Sequence, residues 1–169
     1  DLYFVPSKPL VKANSEKMGI GGVEDLFGGA VEYPLHADKA VLHEAVSSHA
    51  VIPEGFSRTF AKRIRDVVLP GYSVFRFEDA LAAYENLRCQ GEDVLVKDPS
   101  QSDADGQIRV ENPGELSEVV KSISPEVLLR KGLVLETYIH GVQTRSLGEL
   151  VVNGKVYSYF GEQKSVFHE

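Results

Sequence analysis

Two lysines and a glutamate stand where chemistry is plausible. Lys97 closes the run "DVLVKDPS", in which Val94, Leu95 and Val96 read as a buried strand. A polar stretch, "SQSDADGQ", follows it and ends on Gly106. An ammonium at a strand end beside such a loop is placed either to meet water or to meet phosphate. Lys39 follows Asp38 in "HADKAVLHEAV", where an ordinary first-turn helix lysine is the alternative to a phosphate ligand. Glu136 lies inside the apolar run "GLVLETYI", where an unpaired charge is costly, so its position favours a site role. Lysine ammonium groups on separate elements can clamp an anionic tail. A loop of small residues can cradle phosphate with its backbone N–H groups.

Other candidate groups point nowhere in particular. His36, His43, His49 and His140 show no metal spacing and read as surface or capping histidines. The stretch "DADGQIRVEN" echoes part of a calcium loop around Asp103, Asp105 and Gly106. It puts Gln101 and Asn112 where acidic anchors are needed, so it is excluded. The glycine-rich "GIGGVEDLFGGAV" has neither the dinucleotide nor the phosphate-loop spacing and is expected to be loop. One cysteine, Cys89, rules out an internal disulfide and zinc-finger spacing.

The elements that must carry these residues follow from periodicity. "LYFV" near the start resembles a short strand. A helix is expected from Asp38, with Val41, Ala45, Leu42 and Val46 at four-residue spacing. A second is expected from Ser57, its cap, to Val68, with Phe60, Ile64, Val67 and Val68 as the apolar face. Pro70 and Gly71 stop it. Residues 72–75 read as a strand and 77–89 as a helix, with Phe77, Ala80, Leu81, Tyr84 and Leu87 on one stripe. The Lys97 strand and a strand near Ile108–Val110 come next. Asn112, Pro113 and Glu115 open another helix in a capping-box arrangement. Residues 132–139 form the next strand, which completes a β-α-β-β-α-β order. Asn153 and Gly154 then sit between two strand-like runs, the signature of a tight hairpin.

Composition sets the outer bounds. Apolar residues make up 43% of the 169, enough for a real core. No apolar run reaches the roughly 20 residues of a membrane span, and the start lacks a signal-peptide pattern. The formal charge of −7 argues against nonspecific nucleic-acid binding but leaves room for a local basic pocket. A cytoplasmic location is expected, and a homodimer is left open.

Taken in order, "HADKAVLHEAV", "DVLVKDPS" and "LVLETYIHGVQTRSLGELVV" resemble the ATP-grasp superfamily over about residues 36–161. "YFVPS", "DLFGGAVEYP" and "GYSVF" resemble more narrowly a bacterial domain-of-unknown-function family of ATP-grasp-like proteins. The resemblance implies an α+β, ATP-grasp-like fold. Residues 1–71 would be the end of a preceding domain with entry helices. Residues 72–137 would be the small β-α-β-β-α-β lobe, and 138–169 the start of an antiparallel-sheet large lobe.

The resemblance further implies that ATP is bound by Lys39, Lys97, the flap with Gly106, and a hinge of Glu136, Tyr138 and Ile139. Gln143 stands where some members carry a ribose-binding acid. The partners implied are ATP and an unknown acidic small molecule or peptide. The implied activity is that of a carboxylate ligase, which works through an acyl-phosphate attacked by an amine or thiol, with magnesium. The magnesium ligands are expected beyond Glu169, so these residues alone are expected to be inactive. Asp103 and Asp105 would repel phosphate if they faced it. A nucleotide- or ligand-binding module without catalysis, or a non-nucleotide interaction domain, is the alternative.

Overall fold

The computed structural model describes residues 3–22, 25–101, 106–141, 143–152 and 154–163. The chain divides into two compact units, 1–138 and 139–169. The first is built on an antiparallel four-stranded sheet of β3 (Gly71–Val74), β4 (Val94–Lys97), β5 (Gln107–Val110) and β6 (Leu133–Thr137). Its strand order is β3-β6-β4-β5, so the last strand in sequence is inserted between the first two. Ahead of it lie a short parallel pair, β1 (Leu10–Val11) and β2 (Ala30–Val31), and helix α1 (Lys12–Lys17). The strand expected from "LYFV" is reduced to a single bridge between Phe4 and Leu26.

Side-chain alternation splits the sheet into two faces. Val74, Val94, Val96, Val110, Leu133 and Leu135 turn to α3 (Phe77–Cys89) and α4 (Pro113–Lys121). There they bury Ala80, Ala83, Tyr84 and Leu87 of α3, and Leu116 and Val120 of α4. Fully burying each large side chain contributes about 1.5–3 kcal/mol, which makes this the main core. The Tyr84 hydroxyl is satisfied by donating to the Glu111 carbonyl at 2.9 Å. Helix α4 starts as expected: Asn112 Oδ1 accepts from Glu115 N at 3.0 Å. Glu115 reaches back to Glu111 N at 2.8 Å, one residue earlier than a standard capping box.

The β-α-β-β-α-β order is observed, with one extra helix, α5 (Pro125–Lys131), before β6. Ser124 caps it and Gly132, at φ +73°, ends it. Seven residues are too few to show a helical period in the sequence.

Two expectations are corrected. No α-helix begins at Asp38. The chain makes two 3₁₀ turns, Pro34–Ala37 and Lys39–Val41, and Asp38 makes no capping hydrogen bond. Instead Glu44 pairs with Tyr72 in a parallel bridge and its carbonyl accepts from Ser73 N at 3.0 Å. Docking against the β3 edge outweighs a weak local helical preference. Helix α2 (Arg58–Ile64), extended by a 3₁₀ turn to Val67, does form under its Ser57 cap. Its inward residue, however, is Ala61, while Phe60 is 45% and Val67 82% exposed. The Arg58 guanidinium donates to the carbonyls of Ser47 at 2.7 Å and Ala50 at 2.8 Å. That anchor turns Arg58 and Ala61, three residues apart, inward and leaves Phe60 and Val67 outside, with Ile64 and Val68 partly buried.

The second unit contains the hairpin of β7 (Thr144–Val152) and β8 (Lys155–Gln163), paired from Thr144↔Gln163 to Val152↔Lys155. Gly154 takes φ +73°, as a tight turn requires. Asn153 lies outside the described residues. Leu147, Val151, Val156 and Phe160 are exposed on this hairpin.

Candidate functional site

The sheet face away from α3 and α4 carries Gly71 and Ser73 of β3, Val134 and Glu136 of β6, and Leu95 and Lys97 of β4. Register puts Glu136 directly opposite Gly71 on one side and Leu95 on the other. Lys97, two residues beyond Leu95, is therefore a diagonal neighbour of Glu136 within reach of a long side chain. Its ammonium forms an ion pair with Glu136 Oε1. The other oxygen, Oε2, lies 3.3 Å from His43 Nε2.

This is a buried cluster. His43 is 4% and Glu136 7% exposed, and the Lys97 side chain is 19% exposed. His43 is thus neither a surface nor a capping histidine. It reaches the sheet because Gly71 has no side chain. A Cβ there would stand 2.7 Å from Leu135 O, 2.9 Å from Glu136 Cβ and 2.9 Å from His43 Nδ1. Burial alone would push the Glu136 carboxyl up. Hydrogen bonds from His43 and Lys97, with their charge attraction, outweigh it and hold the group below its ordinary value.

Lys39, in the 3₁₀ turn Lys39–Val41, packs against the turn that follows β4. Its backbone N–H donates to Pro99 O at 3.3 Å and its ammonium to Gln101 O at 3.1 Å. Asp98 N donates to Gly106 O at 2.9 Å, closing the base of the loop. Asp98 Oδ1 also accepts from Ser100 N and Oγ at 2.9 and 2.7 Å. Gly106 sits at φ +69°, where a Cβ would crowd Gln101 Cγ at 3.0 Å and Asp98 Cβ at 3.1 Å. The described ends of the loop are therefore a built turn. Asp103, Ala104 and Asp105 lie outside the described residues.

Tyr138 follows β6, and its N–H donates to Asp93 O at 2.7 Å. The Arg109 guanidinium stacks 5.3 Å from its ring and pairs with Asp93 at 2.9 Å. Ile139 and Gln143 belong to the second unit, and both are exposed there.

The structure thus brings together Lys97 and Glu136, and it places Lys39 against the turn that leaves β4. It adds His43, Gly71 and Ser73. No spacing in the sequence pointed to His43, and Gly71 looked like a helix stop. The Ser73 Oγ is buried with no hydrogen-bond partner among the described residues. A cleft of about 580 Å³ beside β3 is lined by His43 with Arg58, Lys62 and Arg65. It contains none of Lys39, Lys97 and Glu136. Among the described residues no group of three His, Cys, Asp or Glu could hold a metal ion. These described residues do not fit a magnesium site of their own. No described helix is long and apolar enough to cross a membrane.

The chain is mixed α+β with antiparallel sheets, and its fold is ATP-grasp-like by its likeness to a solved structure. It is similar to the solved structure of D-alanyl-alanine synthetase A from Vibrio cholerae O1 biovar eltor, with a TM-score of 0.52 and 14% identity. The match covers 95% of this chain and 44% of that one, so the chain spans less than half the length of that protein. At this identity the likeness speaks to the fold. The chain belongs to the family described as protein of unknown function (DUF3182), which it matches over residues 1–169. No curated protein matches it.

Proposed function

We propose that this chain is the nucleotide-binding part of an ATP-dependent ligase-like enzyme, with 72–137 as its small lobe and 138–169 opening a second sheet. One observation carries the reading. Lys97 and Glu136 share a sheet face, and Lys39 pins the turn that leaves it. Each ammonium makes one described polar contact and has three N–H donors, so donors are left for phosphate oxygens.

In the reaction proposed, a substrate carboxylate attacks the terminal phosphorus of ATP and ADP leaves. An amine or thiol then displaces phosphate from the acyl-phosphate. The contribution of this chain would be binding and orienting the phosphates. Magnesium would arrive with the nucleotide and offset phosphate charge. The acidic substrate and the nucleophile belong to the rest of the reading, and a cytoplasmic location, where ATP is supplied, fits it.

A second reading has an observation in its favour. Glu136 already neutralises Lys97, as expected of a structural ion pair in a binding or interaction domain without catalysis. Calorimetry of the full-length protein with magnesium and ATP separates the two. Lys97→Ala should weaken binding by about 1.5–3 kcal/mol, the scale of a charged hydrogen bond. Equal affinities for wild type and variant would leave Lys97 with a structural role alone.

A further inference from the structure

Glu136 is a shared carboxylate. Oε1 meets Lys97 and Oε2 meets His43, and no other described side chain makes a polar contact to either oxygen. A phosphate that draws the Lys97 ammonium toward itself weakens one of these two contacts to a group only 7% exposed. A buried carboxylate whose charged partner is drawn away is costly. The available repair is a proton from solvent, shared within the imidazole–carboxylate pair, with no covalent bond to carbon changed.

We propose that His43 is a positioning residue for Lys97: it keeps Glu136 in place when Lys97 turns to the nucleotide phosphate, and the His43–Glu136 pair takes up a proton as the nucleotide binds. This rests on the nucleotide reading above and names a residue that reading does not need.

Two further observations support it. The approach of His43 is built into the backbone, because Gly71 is the one residue type that leaves room for the ring over β3. His43 also lines the 580 Å³ cleft, which gives the buried pair a route to solvent protons.

The charged surroundings leave the pair as the responsive element. From the segment carrying His43 come Lys39, bonded to Gln101 O, and Glu44. From α2 and its extension come Arg58, tied to two carbonyls, Lys62, and Arg65, set 4.0 Å from Glu44 and 3.5 Å from Asp66. From β4 comes Lys97 and from β6 Glu136, while β3 presents Gly71 and Ser73, which carry no charge. Among the described residues that touch Glu136, Lys97 is the more exposed, at 19% against 4% for His43.

The test is calorimetry of the full-length protein with magnesium and ATP near neutral pH, in buffers of different ionisation enthalpy. Wild type is compared with His43→Gln and Lys97→Ala. Glutamine keeps a donor but accepts no proton. Wild type should take up more protons on binding than His43→Gln, and the nucleotide's own titration cancels in that difference. Relative to the variant, wild-type affinity should fall as pH rises, by up to about tenfold per unit for one full proton. Equal proton uptake by the two proteins overturns the proposal while leaving the nucleotide reading intact. An affinity unchanged by Lys97→Ala overturns the reading itself, and the proposal with it. Should His43→Gln not fold, NMR of the His43 ring and Glu136 carboxyl in wild type answers the same question. Protonation of the pair on adding nucleotide supports the proposal, and no change refutes it.

Discussion

Lys97 and Glu136 meet across neighbouring antiparallel strands, on the sheet face that α3 and α4 leave uncovered. They are 39 positions apart in sequence. Their contact exists because β6 inserts between β3 and β4. Removing the carboxylate leaves the Lys97 ammonium and the His43 N–H facing a space without an acceptor. Glu136→Ala should cost about 3 kcal/mol at neutral pH, the scale of breaking a buried pair from one side. Denaturant unfolding measures it, and a loss below half of that would mark the pair as solvent-like.

The same group sets an acid limit. Its folded value is held below the ordinary carboxylate value of 4.5. Its contribution is therefore fully present above about that pH and is lost as pH falls through the lowered folded value. Wild type and Glu136→Gln should differ by a constant amount above pH 4.5 and converge below it. Unfolding curves that stay parallel into stronger acid would show that the carboxyl is not held down.

Gly71→Ala tests the close approach. Its Cβ would stand 2.7 Å from a backbone oxygen, Leu135 O, which cannot swing aside as a side-chain tip can. Overpacking of this kind costs about 1–3 kcal/mol, and the His43 ring would be displaced with it. Unchanged stability together with an unshifted His43 NMR signal would contradict the described packing.

Ser73 carries the opposite expectation. Its buried hydroxyl has no described partner, so Ser73→Ala removes an unsatisfied polar atom and little volume. The variant should be as stable as wild type or up to about 1 kcal/mol more stable. A clear loss of stability would mean that the hydroxyl is bonded in solution.

Lys39 should hold the turn after β4. In Lys39→Met the ammonium bond to Gln101 O is gone, and the Gln101 amide, bonded to Asp98 O at 3.3 Å, should exchange faster. Core amides of β6 should be unaffected, because the turn is a local opening unit. Equal exchange at Gln101 in both proteins would remove Lys39 from this role.

Local chemistry determined much of the first unit. Helix α3 runs from Phe77 to Cys89 because its apolar stripe has a clean 3.6-residue period, and α4 begins where Asn112 and Glu115 can cap it. Strand β4 ends at Lys97 as the apolar run predicts. The ordered motifs around Lys39, Lys97 and Glu136 carry the resemblance to the ATP-grasp-like fold in the sequence itself. Tertiary structure decided the rest. The same kind of period failed after Asp38, where hydrogen bonding to the β3 edge replaced a helix. It also failed for the face of α2, where the Arg58 anchor selected Ala61. His43 entered the cluster through a gap at Gly71 that no spacing encodes. Periodicity records what a segment gains from its own neighbours along the chain. The partners of His43, Lys97 and Glu136 are set by strand order and backbone approach, which arise only once distant segments pack together.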